Sequence, residues 1–258
     1  KNQCPTMKSI RANKTNLQNI LRINDFKHPC IHRHTVDSCG FDADVEQRIP
    51  KKEMKKNIFI WYNYRCGSTP YQSLLSQKYN LKNYLEPFHE RQKGIHDTEN
   101  FFNKIALDPT PFIVKATPLH IENICNRQTL HYNFHREINK LLDSSHVILM
   151  TRKNKVEAIA SMYVATKTGK WYQHVDSKQE YLDYDMNIDQ ETLQKICREY
   201  ADNDQLLQSK NFKEKIEYEN LDFTGINDYI KQSKPKNYRN IIQEIYLFVF
   251  DYHPELLT

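Results

Sequence analysis

Asn57-Ile58-Phe59-Ile60-Trp61-Tyr62-Asn63-Tyr64-Arg65-Cys66-Gly67-Ser68-Thr69-Pro70 decides the fold. The first six residues are a short apolar, β-prone run, which predicts a buried strand. Asn63 to Thr69 reads as a loop. Pro70 suits the first turn of a helix, and Tyr71 to Tyr79 continues it. A strand that turns at a Gly and re-enters as a helix behind two hydroxyl residues aims backbone N–H groups and the positive helix end at one point. That geometry makes an anion site. Arg65 adds a full charge, and Ser68 and Thr69 can cap the helix or donate hydroxyls to phosphate oxygens. The alternative is an ordinary helix cap. A Walker A loop is excluded, because Gly-Lys-Ser/Thr is missing. A tyrosine-phosphatase loop is excluded too, since no Arg closes a turn after Cys66.

The same alternation continues outward. Phe112 to Lys115 and His146 to Thr151 read as further strands, and Lys215 to Tyr218 as a short one. His135–Leu142, Lys155–Thr168, Gln190–Gln208 and Ile241–Tyr252 read as helices, with Gly169 ending the second of these. Strands alternating with helices predict an α/β fold: a central parallel sheet with helices on both faces and a P-loop-like strand–loop–helix. Residues 57–258 form that domain. Residues 1–56, rich in Lys, Arg, Asn and His, read as an N-terminal extension packed on it.

A second signal is Thr151-Arg152-Lys153-Asn154-Lys155-Val156-Glu157-Ala158-Ile159-Ala160-Ser161. Arg152 and Lys153 stand at the carboxyl end of the central strand, the edge where open α/β sheets bind ligands. Ser161 follows on the next helix, so a cation and a hydroxyl can grip one phosphate from two sides. A solvated basic turn and a packed small residue are the alternative.

Together, Arg65-Cys66-Gly67-Ser68-Thr69 and the Arg152-to-Ser161 stretch resemble the sulfotransferases that use 3′-phosphoadenosine-5′-phosphosulfate (PAPS). With Lys155 to Tyr163 and Thr168-Gly169-Lys170-Trp171, the chain looks most like the trehalose sulfotransferase branch, over about residues 57–252. The resemblance implies the sulfotransferase fold. It assigns Arg65, Cys66, Gly67, Ser68 and Thr69 to the 5′-phosphosulfate, and Arg152, Lys153 and Ser161 to the 3′-phosphate. It makes Glu86, in Tyr84-Leu85-Glu86-Pro87-Phe88, the general base. Cytosolic relatives use a His after a Lys-Thr strand end; here Thr117 takes that place, and the nearby His120 is the second candidate. The basic loop Lys234-Pro235-Lys236-Asn237-Tyr238-Arg239 stands where cytosolic enzymes carry Arg-Lys-Gly, which nominates Lys236 and Arg239 for the nucleotide. The implied reaction moves a sulfuryl group from PAPS to a hydroxyl or amine, leaving 3′,5′-bisphosphoadenosine, with no metal. The acceptor would be a small molecule or glycan, a carbohydrate or glycolipid above all. An ATP-dependent kinase with a degenerate phosphate loop and a non-catalytic nucleotide-binding relative are the rival readings.

Composition agrees with these classes. The 258 residues carry a net charge of +5, an excess spread along the chain that suits an anionic small ligand better than nucleic acid. Aromatics at 12% and apolar residues at 39% supply a core. Only 5 residues are Gly, against a usual share of about 7%, so each is informative. The apolar runs His146–Met150 and Tyr246–Phe250 fall far short of the roughly 20 residues that cross a bilayer, so no stable membrane insertion is expected. The 6 Cys are too sparse for a disulfide scaffold, though Cys30 and Cys39 could pair, and Asn13-Lys14-Thr15 is a formal glycosylation sequon. His28, Cys30, His32, His34 and Cys39 have no usual zinc spacing. Cytoplasmic placement is favoured, with the Golgi or another lumen open should a leader have been trimmed.

Overall fold

Apolar runs become strands where they can be buried on both faces, and the helices between them supply that cover. The computed structural model describes residues 56–89, 98–125, 134–171, 173–174, 184–222, 229–230 and 234–257. In chain order the strands are β1 (Asn57–Tyr62), β2 (Lys82–Asn83), β3 (Phe112–Ala116), β4 (Ser145–Thr151), β5 (Gln173–His174), β6 (Lys215–Glu217) and β7 (Tyr229–Ile230). The helices are α1 (Ser68–Tyr79), α2 (Thr98–Leu107), α3 (Pro118–Cys125), α4 (Phe134–Ser144), α5 (Lys155–Thr168), α6 (Gln190–Gln208) and α7 (Tyr238–Tyr252). Five strands form one parallel sheet in the order β2-β3-β1-β4-β6, and β5 and β7 pair antiparallel apart from it. The α/β fold expected from the sequence is the fold observed.

Side chains alternate across the sheet. Phe59, Trp61, Val114, Ala116 and Leu149 meet Phe101 and Phe102 of α2, Ile121 and Ile124 of α3, and Ile138 and Leu141 of α4 on one face. The opposite parity faces α1: Gln72 of α1 donates to the carbonyl of Ile113, and Lys115 of β3 reaches the start of the same helix. A second apolar cluster joins α5, α6 and α7 around Tyr163, Tyr200 and Ile245. Glu53–Thr258 cluster as one compact unit. The expected extension at 1–56, with its cysteines and histidines, lies outside the described residues except for Lys56.

The sheet order fixes where a ligand can sit. The chain leaves β1 towards β2 on one side, and leaves β4 towards β6 on the other. Oppositely directed connections open a crevice over the carboxyl ends of two adjacent strands. Those ends are Tyr62 and Thr151, so Arg65 and Arg152 follow them side by side. Among the described residues no helix is long and apolar enough to cross a membrane.

Candidate functional site

The loop after β1 holds an unusual backbone. Gly67 adopts φ 74° and Arg65 φ 60°. Gly takes that region freely, whereas an Arg there costs about 1–3 kcal/mol, a strain that clusters at functional sites. Gly67 is the cap residue of α1 and makes no side-chain cap bond to the first amides of the helix. Ser68 and Thr69 do not cap either. Their hydroxyls accept from Nζ of Lys115, at 3.3 Å for Ser68.

A polar network fixes this loop from behind. Asn203 of α6 donates through Nδ2 to the carbonyl of Tyr62 at 3.2 Å and to Asn63 Oδ1 at 3.0 Å. Asn63 Oδ1 also accepts from the amide of Tyr64, and Asn63 Nδ2 donates to Asp204, which pairs with Lys155. Buried polar groups that satisfy one another in this way hold a single geometry.

Three expected anion residues converge. Arg65 Nε donates to Ser161 Oγ at 2.9 Å, and Arg65 Nη1 to the carbonyl of Trp171 at 2.7 Å. Arg152 Nη1 donates to the carbonyl of Arg65 at 3.2 Å. Burial, and after it the neighbouring Arg152, lower the pKa of Arg65. Arginine stays charged through such shifts. Ser161 therefore meets Arg65 directly and not through Arg152 alone.

Lys153 departs from the expectation. Its side chain is 63% exposed and pairs with Glu217 at 2.8 Å. Only its amide faces the loop, and that amide donates to Glu219, as does the amide of Asn154, both at 3.1 Å. Glu157 in turn holds Arg152 Nη2 at 2.8 Å. Two carboxylates of the chain, Glu219 and Glu157, thus occupy donors at the end of β4 and the start of α5. The loop before α7 also differs: Lys236 and Arg239 are exposed, and it is Lys234 that reaches Glu157, at 3.5 Å.

Glu86 points inward. It pairs with Lys115 at 2.7 Å, and Lys115 is only 2% exposed, over the ring of Tyr62. Leu85, just before it, has φ 54°, held by an amide bond to Asn83 Oδ1 and by two donors on its carbonyl, Lys115 N and Gln72 Nε2. Burial alone would raise the pKa of Glu86, but Lys115, then His89 and His120, outweigh it and bring the carboxyl below its ordinary value. His120 is 6% exposed, its ring 4.5 Å from that of His89. Burial, then His89, lowers its pKa to about 4. Both candidate bases are therefore unprotonated at neutral pH. Cys66 is fully buried, and burial pushes its thiol up to about 11, which leaves it no nucleophile.

No protein-family model matches the chain, and no curated protein matches it.

Sequence reasoning missed Lys115 as a member of the site. The signal was available: a cation inside the otherwise apolar Phe112–Ala116 strand needs a buried partner. Tyr238 and Glu219 carried no such mark. Trp61 is core, and Trp171 packs at the edge of the core while lending its carbonyl to Arg65.

Proposed function

We propose that this protein is a sulfotransferase that takes PAPS as donor and sulfates a hydroxyl or amine, most like the trehalose sulfotransferase branch. The observation that carries the reading is the convergence of Arg65, Arg152 and Ser161, from three separate elements, on one crevice. The donor set suits an adenosine bearing phosphates at both ends: the first amides of α1, two arginines, a buried lysine and three hydroxyls. PAPS, when bound, supplies the sulfuryl group. Cys66 to Thr69 and Lys115 would hold the 5′ end, and Arg152 and Ser161 the 3′-phosphate.

Arg65 would stabilise the charge that grows on the bridging and sulfuryl oxygens. Its locked loop means that little reorganisation is needed at that moment. Lys115 adds a fixed positive charge beside Ser68 and Thr69. Glu86, held ionised by Lys115, would accept the acceptor hydroxyl's hydrogen bond and then its proton at a carboxylate oxygen. His120, neutral and next to Glu86, is the second candidate for that proton. We take a carbohydrate or glycolipid as the acceptor class and the cytoplasm as the compartment.

Incubation with PAPS labelled on sulfur, against panels of sugars, glycolipids and peptides, tests the activity. Label transferred to a hydroxyl-bearing acceptor, and lost in Arg65→Ala, is the expected outcome. Transfer of phosphate from ATP to the same panels, without sulfation, would favour the kinase reading.

A further inference from the structure

Two buried donors on different elements end without an acceptor among the described residues. Arg152, at the carboxyl end of β4, has a side chain 9% exposed, and its Nε finds no hydrogen-bond partner among the described residues. Tyr238, at the start of α7, is 7% exposed, and its hydroxyl finds none either. A donor buried in this way loses water and gains nothing in return. Such groups mark places where an ordered water or an acceptor from outside the chain completes the bond.

The two belong to one place. Glu157 binds Arg152 Nη2 at 2.8 Å and Lys234 Nζ at 3.5 Å, and Lys234 lies over the Tyr238 ring at 4.4 Å. The charges acting on the Tyr238 hydroxyl are those of Glu157, Arg152 and Arg65. The ring of Tyr218 lies 4.5 Å from Arg152 Cζ and holds the guanidinium plane. Arg65 lies beside Arg152, and Arg152 and Lys234 share Glu157, while Glu219 sits on the neighbouring amides of Lys153 and Asn154, which leaves the cations in excess. The missing acceptor is accordingly anionic.

We infer that the Tyr238 hydroxyl and Arg152 Nε are donors to the 3′-phosphate of the bound nucleotide. This rests on the nucleotide reading above and adds a binding residue from α7, in place of Lys236 and Arg239.

Tyr238→Phe tests this, because it removes one oxygen and no packing. Calorimetry on the whole chain would compare 3′,5′-bisphosphoadenosine with adenosine 5′-phosphate, which differ only in the 3′-phosphate. Thermal unfolding of the free protein would be read alongside. The inference expects the variant to bind the bisphosphate about tenfold more weakly and the monophosphate equally well. It also expects an unchanged or higher Tm, since the lost hydroxyl was unpaired. A structural hydroxyl would lower Tm. Wild type that prefers the bisphosphate, with a variant that keeps the full preference or loses several degrees of Tm, would overturn the inference and leave the nucleotide reading intact. Wild type without any preference would overturn that reading, and the inference with it.

Discussion

Arg65 is the residue on which geometry and chemistry meet. Its left-handed backbone is held by the Asn63 network, and its side chain is tied to Ser161 and Trp171. Arg65→Ala should keep the fold, since alanine carries the same Cβ at φ 60°, while turnover falls about a hundredfold or more and nucleotide affinity falls far less. Steady-state kinetics beside calorimetry would check this; unchanged turnover with weaker binding would make Arg65 a ground-state contact. Glu86→Gln should abolish sulfation and leave nucleotide binding, with His120→Ala mild. Because His120 titrates near 4 in the fold, a pH–rate profile separates the two bases poorly, and the variants must do it. Stability carries the histidine signature instead. Its folded pKa is lowered from 6.5 to about 4, so the unfolded chain binds the proton first as pH falls. The stabilisation is complete above pH 6.5 and lost between 6.5 and about 4, on the order of 3 kcal/mol in all. Glu86, with its pKa lowered from 4.5, adds a loss that begins as pH falls below that value. Urea unfolding at pH 4.5 and 7 should show the drop in wild type and a smaller one in His120→Gln.

Helix α6 does more than cover the core, because Asn203 and Asp204 tie it to the loop after β1. Asn203→Leu removes the donor shared by Tyr62 O and Asn63 Oδ1 and should cost about 2 kcal/mol in denaturant unfolding. If the tie positions Arg65, turnover of the folded variant should drop as well. At the amino end of α5, Asn154 accepts from the amide of Glu157 at 3.0 Å, so Asn154→Ala should cost about 1 kcal/mol. Long elements with a period or a cap were legible in the sequence. Lys155–Thr168, ended by Gly169 at φ 69°, and Gln190–Gln208 match their expected spans. α1 begins at Ser68, two residues before the expected Pro70, and α7 at Tyr238, three before the expected Ile241. The two-residue β2 and the eight-residue α3 escaped, since so few residues carry no period.

At the scale of the whole molecule, the order β2-β3-β1-β4-β6 brings two distant motifs together. Each was legible because its residues are contiguous: Arg65 to Thr69 on one loop, Arg152 to Ser161 on one strand–helix turn. What was illegible comes from long-range packing. Lys115 pairs with Glu86 across the sheet, Glu219 caps the amides of Lys153 and Asn154 from beyond β6, and Tyr238 arrives from α7. Glu219 also sets a quantitative expectation. Its carboxylate occupies amides at the start of α5, so Glu219→Gln should tighten 3′,5′-bisphosphoadenosine severalfold by removing a competing negative charge. The central claim is a site built for an adenosine with phosphates at both ends. Calorimetry of wild-type protein with 3′,5′-bisphosphoadenosine and with ADP tests it most directly. One charge-assisted phosphate contact is worth roughly 1.5–3 kcal/mol, so the bisphosphate should bind one to two decades more tightly. Equal affinity for the two nucleotides would contradict the account.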